Sequence, residues 1–211
     1  MTIDNIVIEF VHNLCLRFGD VVTPIMRIVS ILGEKCIFCL LIALFLCLKK
    51  KTRWIGLTAI IAIFLGFVLA DGILKPLIMR ERPYLANNTF YDYWQLAGAY
   101  QETNYSMPSG HSIGIAAFFV SLYITSPKED RGIIKNIGVI ATILMVLSRC
   151  YFMHHYFSDC VVGVIIGSIM AYVAKAIVKM IHIFCKKNED LTLFNTIINF
   201  DLFDRGNKIN D

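Results

Sequence analysis

Apolar positions along the chain follow two patterns. Over residues 1–18 they recur at helical spacing: Ile3, Val7, Phe10, Val11, Leu14 and Phe18 share one face, while Asp4, Glu9, His12, Asn13 and Arg17 lie elsewhere. That periodicity predicts an amphipathic helix lying on a membrane surface. Further on, polar positions almost vanish for whole stretches, at about 28–48, 54–74, 111–126, 133–148 and 157–185. A hydrocarbon core about 30 Å thick needs roughly 20 residues of helix, so these stretches predict about five membrane spans. The third is short and has to begin in the headgroup layer. The fifth is long, with Lys175 and Lys179 placed to snorkel to the interface. The expected fold class is all-α: a polytopic transmembrane helix bundle of about five spans plus an N-terminal amphipathic interfacial helix. The corresponding division is an interfacial segment at 1–27, a membrane domain at 28–185 and a polar tail at 186–211.

Charge sets the orientation. Lys49, Lys50, Lys51 and Arg53 lie between the first two spans, Lys128, Arg131 and Lys135 between the third and fourth, and Lys186 and Lys187 after the fifth. All three groups fall on one side, which the positive-inside rule makes cytoplasmic together with the C-terminus. The loops 75–107 and 149–156 then face outward with the N-terminal helix. Composition agrees: 57% of residues are hydrophobic and 17% charged, against about 45–50% and 25% in soluble domains. The net charge of +4 is too mild for a polyanion-binding surface, so nucleic acid is not an expected partner. Most of the seven cysteines sit inside apolar runs and read as small lipid- or core-facing residues, not metal ligands. The opening MTIDNIVIEF carries Asp4 and Glu9 where a secretory signal has basic residues.

The outward loops hold chemistry that membrane anchoring does not require. Lys75, Arg80 and Arg82 cluster in LKPLIMRERP, where two such cations also suit an ordinary interface anchor. MPSGH, residues 107–111, directly precedes the third span. Pro108 and Gly110 open the backbone there, and Ser109 is a natural N-cap, so the free N–H groups of a helix start form an anion seat. In SRCYFMHHYFSD, residues 148–159, His155 and Asp159 are four apart and share a helical face. A carboxylate beside an imidazole fixes its tautomer and stabilises its cation. His154 reads as a surface or interface histidine. Together the clusters suit the charge of a transferring phosphoryl group without a metal. One histidine attacks phosphorus in that arrangement and the other protonates the departing oxygen.

The three clusters resemble, in order and spacing, the signature of the type 2 phosphatidic acid phosphatase superfamily, the membrane lipid phosphatases related to vanadium haloperoxidases. Lys75 to Arg82-Pro83 is its Lys-(six residues)-Arg-Pro, Pro108 to His111 its Pro-Ser-Gly-His, and Ser148-Arg149, His155 and Asp159 its third part. The resemblance implies a helical bundle whose catalytic residues meet at the outer membrane face, with 28–185 as the phosphatase domain. It implies His155 as the nucleophile forming a phosphohistidine, Asp159 holding its imidazole, and His111 protonating the leaving oxygen. Lys75, Arg82, Ser109, Gly110 and Arg149 would bind the phosphoryl oxygens, with no metal and no cofactor. The expected partners are a lipid phosphate substrate and membrane lipids, in the cell membrane. Many members have six spans, and here an amphipathic helix stands in place of the first.

Among the family's substrates, a polyprenyl diphosphate such as undecaprenyl diphosphate is favoured by an outward site. Phosphatidic acid or phosphatidylglycerophosphate comes second. A phosphotransferase handing the phosphoryl group to an acceptor is the rival enzyme, and a channel or scaffold the rival from another class. Tyr84, Phe90, Tyr91, Tyr93, Trp94, Tyr100 and Tyr105 make the loop 84–107 strongly aromatic. It suits an interfacial belt, or a lid shaping the way in for lipid.

Overall fold

The structure, a computed structural model, describes residues 2–188 and 190–202; of the predicted polar tail, 189 and 203–211 lie outside the described residues. Helix α1 (Ile3–Leu32) starts where Thr2 caps the Asn5 N–H at 3.3 Å. Asp4 in its first turn complements the helix dipole. The helix is kinked at Phe18, whose backbone is non-helical (φ −136°, ψ 20°). Two helical segments, 3–17 and 19–32, meet at that kink, and the second runs through residue 28, where the first span was expected to begin. Gly33 and a 3₁₀ turn at Glu34–Cys36 interrupt the chain, and α2 (Ile37–Cys47) leaves at 46° to α1.

The apolar stripe read from residues 1–18 also divides differently. Ile8 and Val11 are buried against the bundle, whereas Ile3, Phe10 and Phe18 are exposed. His12 stacks on Tyr93 with ring centroids 3.4 Å apart, and Asp4 reaches Arg80 at 2.9 Å. The lipid-facing side takes apolar groups, so the polar side chains turn towards protein partners.

Helix α3 (Arg53–Leu69) continues through a π-helical turn at Ala70–Leu74 into α4 (Lys75–Ile78), which Met79 ends in left-handed conformation. Two short helices follow, α5 (Pro83–Ala86) and α6 (Asn88–Leu96), the latter capped by Asn87 on the Thr89 N–H at 2.8 Å. After a loop come α7 (Gly110–Thr125), α8 (Arg131–Tyr151) and α9 (Phe157–Lys187), close to the predicted third, fourth and fifth spans. The segment Arg53–Ala86, α8 and α9 are long and apolar enough to cross a membrane. The α1–α2 pair qualifies together as a bent span, and α7, at 16 residues, is short.

Small residues let the helices approach. Gly163, Gly167, Ala171 and Ala174 line the buried face of α9. A Cβ at Gly167 would lie 2.2 Å from the Ile113 carbonyl oxygen, and one at Gly163 2.7 Å from that of Ser109. This contact seats the start of α7 against the start of α9. Leu41, Phe64, Ile140, Ile143, Ile165 and Ile169 point outward, as lipid-facing positions do.

The basic loops share one end of the bundle. Helix α10 (Thr192–Asn199) folds back so that the Leu202 N–H donates to the Leu48 carbonyl at 3.0 Å. The Lys50 ammonium donates to Asn199 Oδ1 at 2.9 Å, and its backbone N–H to Asp201. Lys175 donates to the Ile124 carbonyl at the C-terminal end of α7, 2.9 Å away. The motif loops converge at the opposite end.

Candidate active site

The left-handed Met79 frees the backbone after α4, so that Arg82 enters in extended conformation (φ −73°, ψ 151°) and its side chain turns inward. Its guanidinium is 99% buried. Nε donates to the Asn104 carbonyl at 2.8 Å, Nη1 to the His154 carbonyl at 2.7 Å, and Nη2 meets Glu102 Oε2 at 2.6 Å. Nη1 also lies 3.3 Å from His155 Nε2. A guanidinium has no acceptor, so Nε2 must offer its lone pair and the ring proton sits on Nδ1. That nitrogen faces Asp159 Oδ2 at 3.7 Å. Burial first, then the charges of Arg82 and Arg149, push the His155 imidazole well below its ordinary pKa. The ring is therefore neutral at pH 7, with an unprotonated Nε2 at the cavity: the state a nucleophile requires.

Asp159 is fully buried in the first turn of α9. Oδ2 accepts from the Tyr156 N–H at 2.9 Å and from the Ser106 hydroxyl, and Oδ1 accepts from Arg80 Nη1 at 2.5 Å. Helix α7 begins beside it. The Ser109 N–H donates to the Asp159 carbonyl at 3.1 Å, and the Ser109 hydroxyl accepts from the Ser112 N–H at 3.4 Å. Ser109 thus spends its N–H on α9, which leaves those of Gly110 and His111 as the donors of the helix start. His111 Nε2 is buried without a hydrogen-bond partner.

Lys75, Gly110, His111 and His155 line one cavity of about 320 Å³, with Glu34, Asp71 and Glu102 among its other walls. Lys75 is buried and pairs with Asp71 at 2.8 Å, one turn back across the π-helical segment. Arg149, at the end of α8, donates from Nη1 to Ser30 Oγ at 2.7 Å and meets Glu102 through Nη2. Its Nε is buried without a partner. The structure thus brings all eight motif residues to one end of the bundle, four on the cavity and the others within one contact of those four.

One charged residue of the site, Glu102, belongs to none of the sequence motifs. Glu102 bridges Arg82 and Arg149. Burial raises its carboxyl, but Arg149 and Arg82 outweigh burial and hold the pKa at about 2. A signal existed: Glu102 is the one Asp, Glu, Lys or Arg between Asp92 and Lys128. His154 is fully buried, not a surface histidine. Its Nε2 lies 2.8 Å from the Tyr100 carbonyl, and burial first, then Arg149, depresses its pKa to about 3. The aromatic loop packs over this end, with Tyr84 and Tyr100 against the His154 ring.

Residues 54–183 match the PAP2 superfamily. The chain belongs to that superfamily. Over 125 residues it is 30% identical to an undecaprenyl-diphosphatase of Sulfolobus acidocaldarius. That stretch covers 59% of this chain and 56% of the relative, so the chain spans little more than half the relative's length. The fold resembles the crystal structure of the first transmembrane PAP2 type phosphatidylglycerolphosphate phosphatase, from Bacillus subtilis. The TM-score is 0.64 at 21% identity, covering 84% of this chain and 85% of that one. This PAP2 chain is thus a multi-pass helical membrane protein, and all eight motif residues lie inside the stretch that the superfamily matches, whereas α1 lies outside it.

Proposed function

We propose that this PAP2 protein is a metal-independent lipid phosphatase, hydrolysing a lipid phosphate or diphosphate at the outer leaflet through a phosphohistidine. The observation that carries this reading is the Arg82–His155 contact, which leaves Nε2 of a buried, neutral imidazole unprotonated at the cavity. In the proposed reaction Nε2 attacks phosphorus while the bond to the leaving oxygen breaks. His111 is neutral in the resting enzyme, held below its ordinary pKa by burial and then by Arg149; in the proposed reaction it takes a proton from the entering phosphate monoanion and passes it to this oxygen. The Nδ1–H of His155 closes on Asp159, which stabilises the positive ring. Lys75, Arg82, Arg149, the Ser109 hydroxyl and the Gly110 N–H offset the charge on the phosphoryl oxygens. Water then attacks the phosphohistidine, with His111 as base, releasing inorganic phosphate and the free histidine.

An apolar groove supports a lipid substrate. Val29, Leu32, Phe38, Ile42, Phe118 and Met145 line it between α1, α2, α7 and α8. It ends at Gly33, where a Cβ would lie 2.1 Å from Met145 Cε and 3.2 Å from His111 Cδ2. A chain lying there would deliver its head group to His111. The basic loops at the far end support an outward-facing site by the positive-inside rule. The named relative favours undecaprenyl diphosphate, whose hydrolysis would leave the lipid monophosphate, and phosphatidic acid or phosphatidylglycerophosphate stands second.

The test is phosphate release by purified protein in detergent containing excess EDTA. The substrates are undecaprenyl diphosphate, phosphatidic acid, phosphatidylglycerophosphate and nitrophenyl phosphate. Turnover of a lipid substrate, inhibited by vanadate, is the expected result. Activity that requires a divalent ion, or no release from any lipid phosphate, would reject the proposal.

A further inference from the structure

Arg80 lies outside the motif positions, yet its guanidinium pairs directly with Asp159. Nη1 donates to Asp159 Oδ1 at 2.5 Å and to Ser158 Oγ at 2.7 Å. Nη2 donates to Asp4 Oδ2 at 2.9 Å, and the guanidinium lies 3.9 Å over the Tyr156 ring. Its own carbonyl accepts from the Ser106 N–H at 2.8 Å, and the Ser106 hydroxyl donates to the other oxygen of Asp159. Asp4, from the first turn of α1, accepts from the Ser158 N–H at 2.8 Å and the Ser158 hydroxyl at 2.7 Å. It therefore caps, from another helix, the start of the helix that bears Asp159.

We infer that Arg80 is a positioning residue acting through Asp159 on His155, and that Asp4 holds Arg80 in place, which makes the N-terminal helix a working part of the active site. The inference rests on the proposed role of His155 as nucleophile. Its physical basis is the balance of charge around a buried carboxylate. Asp159 is within 3.7 Å of His155 Nδ1, and with no cation on Oδ1 its charge would draw a proton onto His155. The imidazolium so formed has no lone pair on Nε2 and cannot attack phosphorus. Arg80 takes up that charge in the resting enzyme, so Asp159 orients the ring without protonating it. The other ionisable groups around His155 and its cavity are Asp71, Lys75 and Arg82 from the 71–82 segment, Glu34 after α1, Glu102 from the loop, His111 on α7, Arg149 on α8 and the adjacent His154. Of these, Arg82 and Arg149 act on His155 more strongly than Glu102 does. A merely structural Arg80 would not change the protonation of the nucleophile.

The experiment uses the full chain in detergent with a lipid phosphate and nitrophenyl phosphate, comparing Arg80→Met, Arg80→Lys, Asp4→Asn and the double variant Asp4→Asn with Arg80→Met. Asp20→Asn, at an exposed position of α1, is the control and keeps wild-type kcat. Arg80→Met is expected to lose about 10–100-fold in kcat, the scale of a misplaced catalytic group, with KM within about threefold. The acid limb of its kcat/KM profile moves up by about one pH unit, the effect of an uncompensated neighbouring charge. Arg80→Lys recovers part of kcat and restores the pH profile. Asp4→Asn loses a smaller factor on its own and adds nothing to Arg80→Met.

Wild-type kcat and pH profile in Arg80→Met would overturn the inference, as would a loss confined to KM or additive losses for Asp4 and Arg80. If Arg80→Met does not fold, the pH profile of Asp4→Asn decides: its acid limb is expected to move up, by less than one unit, and an unshifted profile would overturn the inference. Failure of the underlying reading looks different: the wild-type protein itself would release no phosphate from any lipid phosphate, or the His155→Ala variant would remain active.

Discussion

Oε2 of Glu102 lies 2.6 Å from Nη2 of Arg82, and the other oxygen of that carboxylate contacts Arg149. The carboxylate therefore occupies, on both arginines, the positions proposed for two phosphoryl oxygens. Its backbone is pinned, since the Tyr84 hydroxyl accepts from the Glu102 N–H at 3.1 Å and donates to its carbonyl at 2.9 Å. Only the side chain has to turn away when a phosphate arrives.

Removing that charge should expose the competition. Glu102→Gln is expected to bind vanadate about tenfold more tightly, equivalent to about 1.4 kcal/mol. It should also be less stable without an anion, because a buried cation that loses its partner is costly. Melting temperatures with and without vanadate, together with the inhibition constant, check both effects. Unchanged vanadate affinity would show that Glu102 does not contest the seat.

The two histidines should separate by leaving group. His155→Ala removes the attacking atom and should be inactive on every substrate. His111→Ala should lose about 10²–10⁴-fold on a lipid monophosphate, whose alcohol needs a proton to depart. On nitrophenyl phosphate, whose phenolate leaves unaided, the loss should be far smaller. Measuring kcat for both variants on both substrates tests the assignment, and equal losses for His111→Ala would reject its acid role.

Stability should depend on pH through His154. Its pKa is about 3 in the folded protein and about 6.5 in an unfolded chain. Between these values the unfolded state binds a proton that the folded state does not. The stabilisation is therefore fully present above pH 6.5 and lost as pH falls from there towards 3, by up to about 1.4 kcal/mol per unit. His155, displaced in the same direction, should add to the slope. Melts in detergent from pH 7.5 to pH 5 should show the decline, and His154→Gln should flatten it.

Orientation is open to labelling. Single cysteines at Lys51 and at Gln95, in a background lacking the native cysteines, should differ in reaction with an impermeant thiol reagent on intact cells. The position at 95 should label and that at 51 should not, and the reverse would invert the proposed topology.

The amino-acid sequence by itself determined the spans of α7, α8 and α9, because a helix facing lipid on one side and small-residue contacts on the other leaves a long uncharged run. It also determined the eight motif residues, since each part of the signature keeps its spacing within one short segment. Tertiary structure decided the rest. The break at Glu34–Cys36 lies in a stretch whose hydropathy suits a continuous span, and it is fixed where the chain packs beside Met145 and His111. His154 and His155 are adjacent and alike in sequence, yet only packing decided that one faces the Tyr100 carbonyl and the other the cavity. Glu102 found its arginines across 20 and 47 residues, and Asp4 found Ser158 across 154. No periodicity encodes such pairs, because an ion pair buried in a bundle is selected by the enclosed space it fills and not by the segment that carries it.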